Sequence, residues 1–274
     1  MSCPIPHPIA LTIAGSDSGG GAGIQADLKS FSALGVYGAS VITAITAQNT
    51  RTVAAVEMVS PAMVAAQIDA VFDDLDVRAV KIGMVGGVDV ITTVATHLRR
   101  ALARHPVPVV LDPVMVAKSG DALLADQAVA ALRDELLPLA TILTPNLPEA
   151  ARLLGCDPAA SPGMAEQGQA LRALGPAYVL MKGGHAAGDI CTDLLIGPQT
   201  LTLTAPRRQT RNTHGTGCSL SSAITAGLAQ GMGVTQAVSR AHRWLQGAIA
   251  AADDLTIGSG HGPVHHFHNI WCDK

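Results

Sequence analysis

Aromatic side chains are scarce in this chain: two Trp, two Tyr and three Phe make up 3% of 274 residues. Few rings are therefore available to stack on a ligand. Charged residues are also few, at 14%, and 18 Lys plus Arg against 21 Asp plus Glu give a net charge of −3. No block of Lys or Arg occurs, so neither nucleic acid nor an anionic membrane is an expected partner. No apolar run approaches the roughly 18 residues that cross a bilayer. Residues Met1 to Pro8 hold prolines and no Lys or Arg, which does not fit a signal peptide. Five cysteines (Cys3, Cys156, Cys191, Cys218, Cys272) lie scattered without C-x-x-C spacing. That usage fits reduced thiols in a cytoplasmic protein.

What the chain does have is apolar mass. At 48% hydrophobic it can bury a sizeable core, and disorder is not expected. No linker, low-complexity segment or repeat divides it, so one domain over residues 1–274 is expected. Short apolar runs at Ile9–Ala14, Val36–Ala44, Ala79–Ile82, Val109–Leu111, Ile142–Thr144 and Tyr178–Met181 read as strands. Helical patterns separate them, at Ala22–Leu34, Pro61–Phe72, Val88–Arg104, Asp126–Leu136 and from Leu147 and Gly163 onward. This alternation predicts an α/β fold with a mainly parallel sheet covered on both faces. Thr192–Ile196 and Leu201–Ala205 read as a hairpin near one edge, and helices over Gly217–Gln230 and Val234–Ala252 close the chain. Ligands bind such sheets beyond the carboxyl ends of the strands. Gly15, Asp17, Gln48, Met84, Asp112, Asn146, Glu149 and Lys182 fall there.

The most informative segment is Asn212-Thr213-His214-Gly215-Thr216-Gly217-Cys218. It runs straight into an apolar helical pattern (Leu220, Ile224, Leu228), so it should open a helix. Helix starts carry unpaired N–H groups and a partial positive charge, which suit anions. Gly215 and Gly217 leave those donors unshielded around Thr216. A thiol on a first turn is expected to have a lowered pKa, so Cys218 is a candidate base or nucleophile. Phosphoryl or acyl transfer is the chemistry this points to.

Other motifs carry two readings each. Gly21-Ala22-Gly23-Ile24-Gln25-Ala26 matches a dinucleotide fingerprint, but it lies seven residues past Ala14 and no Asp or Glu occurs between Asp27 and Glu57. No Gly-Lys-Ser/Thr follows either, so a Walker loop fails. What remains is a packing turn, or a loose loop whose amides touch a small substrate. Asn146-Leu147-Pro148-Glu149 reads as a helix cap, and Glu149 equally as a ligand for hydrated Mg²⁺. Lys182 before Gly183-Gly184 is a solvated strand-end lysine or a phosphate partner. Gln48 offers an amide that matches an aminopyrimidine edge. His265, His266 and His268 read as a surface tail, since no carboxylate or cysteine accompanies them at ligand spacing.

Taken in order, these segments resemble hydroxymethylpyrimidine/phosphomethylpyrimidine kinase of thiamine biosynthesis. The likeness runs through Ala10–Asp27, Thr46-Ala47-Gln48-Asn49-Thr50, Val80–Met84, Leu111–Gly120, Thr144–Glu149, Lys182–His185, the Asn212–Cys218 turn and the terminal Gly-His-Gly-Pro-Val-His-His-Phe. It implies a ribokinase-like three-layer α/β/α sandwich and ATP-dependent phosphorylation of 4-amino-5-hydroxymethyl-2-methylpyrimidine and of its monophosphate. ATP and Mg²⁺, with a monovalent cation as a further option, are the implied cofactors, and a homodimer the implied assembly. Carried onto this chain, Gly15, Asp27, Gln48, Met84 and Val114 would hold the pyrimidine. Asn146, Glu149 and Lys182 would manage Mg²⁺ and the ATP phosphates, with Asp112 in the same electrostatic network, and Thr213 would touch the nucleotide. Cys218 stands where ribokinase relatives place an aspartate base, so it acts as the base or through its backbone N–H. The substrate's own phosphate would need Lys118 or His214 in the second step. The nearest alternative is pyridoxal or pyridoxine kinase activity on the same scaffold. A cysteine hydrolase using Cys218 with His214 or His242, and a nucleotide sensor without turnover, are the remaining readings.

Overall fold

The computed structural model describes residues 7–115, 124–157, 163–184 and 188–271. The apolar runs become strands of one eight-stranded sheet: β1 (Ile9–Ala14), β2 (Tyr37–Ile42), β5 (Val77–Ile82), β6 (Val109–Leu111), β7 (Ile142–Leu143), β8 (Tyr178–Met181), β9 (Ile190–Ile196) and β10 (Leu201–Pro206). The order across the sheet is β10-β9-β8-β7-β6-β5-β1-β2. All pairs from β2 to β8 are parallel, and the β9–β10 hairpin closes one edge antiparallel. The helices are α1 (Gly23–Ala33), α2 (Pro61–Asp74), α3 (Val88–Arg104), α4 (Asp126–Ala131), α5 (Leu147–Leu154), α6 (Met164–Arg172), α7 (Thr216–Ala229) and α8 (Val234–Ala250). The Asp126–Leu136 helix of the sequence reading is α4 plus wider turns over Leu132–Leu136.

Alternate strand positions feed two cores. Leu11, Ile13, Val80 and Ile82 pack toward α2, α3, α5 and α6, whereas Ala10, Ala79, Val110 and Ile142 face α1, α7 and α8. Such strands, buried on both faces, are continuous apolar runs in sequence, and that is why they could be read there. Helix α7 is buried from Ser219 through Ala229.

The Val36–Ala44 expectation needs correction. The strand ends at Ile42, where Thr43 donates through its amide to the Ala14 carbonyl and through Oγ1 to the Met84 carbonyl. Beyond this turn β3 (Ala44–Gln48) leaves the main sheet and pairs antiparallel with β4 (Val53–Met58), which the sequence reading omitted. Ile45, Val56 and Met58 on this ribbon are exposed, so its apolar residues carry no core pattern.

Strand order reverses at β1. The chain goes from β1 to β2 on one side, then from β5 onward on the other, and a crevice opens where the two paths diverge. Gly15 N–H donates to the Met84 carbonyl across this point at 3.1 Å.

Candidate active site

A cavity of about 850 Å³ occupies the crevice. Its anion-binding end is the start of α7. Gly215 adopts φ +78°, ψ 9°, and a Cβ there would overlap the Gly21 carbonyl oxygen, so only glycine lets the chain turn from His214 into the helix. Thr216, Gly217 and Cys218 line the cavity, and first-turn N–H groups have no helical carbonyl to bond. Thr213 lines it as well.

Opposite stand the charged groups. Lys182 Nζ donates to Asp112 Oδ1 at 2.9 Å and lies 3.8 Å from Glu149 Oε2. Asn146 and Glu149 form a reciprocal cap of α5: each side chain accepts from the other's backbone N–H at 2.8 Å. The cap reading therefore holds, and the same residues also line the cavity. Burial, with Asp112 adding to it, pushes the Glu149 carboxyl up to about 7 against the opposing pull of Lys182. Burial also works against ionising Asp112, but the Lys182 and Lys81 ammonium groups outweigh it and hold its pKa below the usual range. Desolvation disfavours the partly buried Lys182 ammonium, yet Asp112 and Glu149 raise its pKa above the ordinary lysine value.

With Lys81 paired to Asp27, the Asp112 and Glu149 carboxyls facing the Lys182 ammonium leave a negative excess that a cation would satisfy. Among the described residues no cluster of three or more His, Cys, Asp or Glu could cage a metal alone. The donor set fits Mg²⁺, which binds through one or two carboxylates plus substrate phosphates.

The other end of the cavity is framed by Gly15, Gln48, Met84 and Val114. A Cβ on Gly15 would strike the Met84 Cε, so this glycine lets the methionine lie over the crevice. Thr46 Oγ1 donates to the Ser16 carbonyl at 2.8 Å and lies 3.3 Å from Gln48 Oε1, while Gln48 Nε2 is 3.4 Å from His214 Nε2. The glycine loop is not loose. Its amides at Gly19, Gly21 and Ala22 donate to the Asp17 carboxylate at 2.8, 3.0 and 2.8 Å, and His214 Nε2 lies 2.9 Å from Asp17 Oδ2. Those donors are occupied and are not offered to a ligand. Burial opposes ionisation of Asp17, but His214 and these amides outweigh it and hold the pKa below normal.

Three further expectations change. Asp27 does not line the cavity. It is fully buried, with Oδ2 accepting from Thr12 Oγ1 at 2.6 Å and Lys81 Nζ at 2.8 Å, and Oδ1 from Ser222 Oγ at 2.7 Å. Lys81 is the member of that group that reaches the cavity. The Cys218 thiol is not lowered: burial pushes it up to about 11, and Asp27 and Asp112 add to this against Lys81 and the Gly23 amide. The helix dipole alone is worth only ~0.3–1 kcal/mol, and burial outweighs it. His265 and His266 are buried, not a surface tail. His266 Nε2 lies 2.9 Å from Ser219 Oγ, which donates to the Gly215 carbonyl, and burial pushes His266 down to about 3. Lys118 lies outside the described residues, as does His185.

Asp17 and Lys81 are the site residues whose roles the sequence did not convey. Lys81 had a signal: a lysine inside the otherwise apolar end of β5.

A family model described as phosphomethylpyrimidine kinase matches residues 17–265. A hydroxymethylpyrimidine/phosphomethylpyrimidine kinase of Rhizobium meliloti (strain 1021) is 61% identical over 267 residues, covering 97% of this chain and 99% of that protein. Among solved structures, phosphomethylpyrimidine kinase from Clostridium difficile 630 superposes with a TM-score of 0.76 at 46% identity, over 88% of this chain and 99% of that one. An ADP complex of Bacillus subtilis pyridoxal kinase gives 0.85 at 37% identity, over 95% and 98%. The fold is thus the ribokinase-like α/β sandwich, and the chain belongs to the phosphomethylpyrimidine kinase family.

Proposed function

We propose that this kinase transfers the γ-phosphoryl group of ATP to the hydroxymethyl oxygen of 4-amino-5-hydroxymethyl-2-methylpyrimidine, and then phosphorylates the monophosphate to the pyrophosphate from which thiamine phosphate is assembled. The observation that carries the reading is convergence: the first-turn N–H groups of Gly217 and Cys218, the Lys182 ammonium and the Glu149 carboxyl share one cavity at the switch point. Phosphoryl transfer asks for in-line positioning and charge stabilisation more than covalent chemistry. The amides from Gly215 to Cys218 face the migrating group. Lys182, Asn146 and Thr213 contact the ATP phosphates. Mg²⁺ would be held on the Glu149 and Asp112 side, where it supplies charge neutralisation to the phosphates.

At the other end the Gln48 amide reads the ring nitrogen and exocyclic amine, with Gly15 below and Met84 and Val114 as aliphatic walls. Cys218 contributes its N–H to the anion hole, and its sulfur accepts the hydroxyl proton. Burial pushes the thiol up to about 11 in the ligand-free chain, which disfavours the thiolate before substrate binds. ³¹P NMR of protein, Mg-ATP and hydroxymethylpyrimidine tests the whole reading. Mono- and diphosphorylated products appear in turn, and ATP loss without a phosphorylated pyrimidine refutes it.

Pyridoxal phosphorylation is the second reading, favoured by the likeness to the Bacillus pyridoxal kinase and by the shared hydroxymethyl arm. Turnover of the two alcohols by one preparation decides between them. A homodimer in the cytoplasm completes the proposal. The exposed Ile45 and Val56 on the β3–β4 ribbon suit an interface, and no helix among the described residues is long and apolar enough to cross a membrane. Light scattering at low concentration reads the assembly.

A further inference from the structure

Near its C-terminus the chain forms a strap that lies behind the anion-binding turn. Gly260 N–H donates to Thr50 Oγ1 at 3.1 Å and His261 N–H to the Thr50 carbonyl at 2.8 Å, on the connection of the β3–β4 ribbon. Gly262 N–H then donates to Asn212 Oδ1 at 3.1 Å, and the Gly262 carbonyl accepts from His214 N–H at 3.0 Å. A Cβ on Gly260 would overlap the Thr50 carbonyl and one on Gly262 the Asn212 side-chain amide, so these glycines let the strap press on both partners. The strap delivers His266 to the back of α7. His266 and Ser219 are 4% and 0% exposed, and neither lines the cavity.

Proton count fixes the direction of the bonds there. The Ser219 hydroxyl has one proton, which goes to the Gly215 carbonyl at 2.7 Å, where Ser219 N–H also donates at 2.8 Å. Ser219 Oγ is therefore the acceptor toward His266 Nε2, 2.9 Å away, so this nitrogen carries the hydrogen. Burial pushes the imidazole down to about 3, so the ring is neutral and has that single N–H. Ser221 on the same helix is less committed: its Oγ lies 3.0 Å from the Gly217 carbonyl, 3.1 Å from that of Cys218 and 3.4 Å from Asp112 Oδ2. A helical serine has such a choice of carbonyls one turn back. At Ser219 the imidazole N–H occupies a lone pair and leaves one arrangement. The carbonyl so held belongs to the planar peptide unit that joins Gly215, at φ +78°, to Thr216, and its plane sets the entry angle of the first turn. In a buried chain of hydrogen bonds each also strengthens the next.

Building on the reading of this turn as the anion hole, we propose that His266 is a positioning residue for phosphoryl transfer: its Nε2–H commits the Ser219 hydroxyl to the Gly215 carbonyl and so holds the peptide plane from which the α7 N–H groups meet the migrating group. His266 touches no substrate and exchanges no proton during the reaction.

A double-mutant cycle with Ser219→Ala tests this. His266→Phe keeps a ring beside Trp244, whose centroid lies 6.4 Å away, but has no N–H. It lowers kcat between about twofold and tenfold, the span of one net hydrogen bond, with both KM values within about twofold. His266→Gln, whose Nε2 can replace the imidazole donor, restores kcat although it has the lower Tm of the two, a split that a merely structural role would not produce. Ser219→Ala loses as much kcat as His266→Phe, and combining them changes kcat by less than about 1.5-fold further. Long-range ¹H–¹⁵N NMR finds the Nε2–H tautomer. A loss below about twofold in folded His266→Phe, a further fall of about 1.5-fold or more in the double variant, or an Nδ1–H tautomer overturns the proposal. Should His266→Phe not fold, the tautomer and Ser219→Ala decide, and kcat of Ser219→Ala within about twofold of the parent overturns it. Failure of the anion-hole reading shows separately, as Gly215→Ala turning over like Gly231→Ala while the His266–Ser219 cycle stays non-additive.

Discussion

Replacing Gly215 with alanine tests whether the turn into α7 builds the anion site, and Gly231 provides the control. Both glycines have positive φ, +78° and +83°, but an added Cβ at Gly231 meets nothing within 4 Å, whereas at Gly215 it overlaps the Gly21 carbonyl. The left-handed conformation costs alanine about 1–2 kcal/mol in either place, and part of this is returned by a stiffer unfolded chain, about 0.4–1 kcal/mol. Gly231→Ala therefore lowers Tm by roughly 2–4 °C, the shift typical of ~1 kcal/mol in a chain of this size, with kcat unchanged. At Gly215 the loop bearing Gly21 and the start of α7 must also separate by on the order of 1 Å or more, a displacement that can by itself lower a rate about 10²-fold. Loss of one preorganised donor is worth about 10²–10³ in kcat, so Gly215→Ala should fall in that range. Differential scanning fluorimetry and steady-state kinetics on both variants decide the matter. If kcat of folded Gly215→Ala stays within about threefold of Gly231→Ala, the first turn of α7 is not the anion hole.

Three other outcomes follow from the same geometry. Cys218→Ser keeps the backbone N–H, so its KM for ATP stays within about twofold while kcat falls at least about tenfold, because serine is the weaker base; turnover near the parent value removes the base role but leaves the anion hole standing. Gln48→Leu raises the pyrimidine KM about tenfold, the worth of one or so net hydrogen bonds, and an equal rise in the ATP KM contradicts the assignment. For Glu149, burial sets the folded-state pKa, about 7, above its unfolded value. Protonation therefore stabilises the ligand-free fold as pH falls from about 7 toward the ordinary carboxylate range, while the carboxylate needed for Mg-ATP is lost over the same interval. Thermal melts and kcat/KM against pH, each compared with Glu149→Gln, should show opposite slopes that the variant abolishes; parallel slopes would remove Glu149 from the metal site.

How much of this was legible in the chain follows from which forces act locally. Strands β1 and β6 were readable because burial on both faces makes each a nearly continuous apolar run, β5 from its shorter Ala79–Ile82 stretch despite Lys81, and α5 because Asn146, Pro148 and Glu149 encode its start within four residues. The β3–β4 ribbon was not, since Ile45 and Val56 point to solvent and no core imposes a pattern on them. Asp17 was missed because a glycine-rich segment suggests free amides, and only the folded loop reveals that one carboxylate binds three of them. At Cys218 a first-turn position gives a favourable dipole of ~0.3–1 kcal/mol, but nothing local announces the burial and the carboxylates of Asp27 and Asp112 that push the thiol the other way. Resemblance placed Asp27 against the pyrimidine, yet its oxygens are taken by Thr12, Lys81 and Ser222. Of that group only Lys81 borders the cavity, so Asp27 has no direct face toward a substrate. On that argument Asp27→Asn leaves the pyrimidine KM within about twofold while lowering stability, because it leaves the buried Lys81 ammonium without its counter-charge, whereas a direct substrate contact would raise that KM.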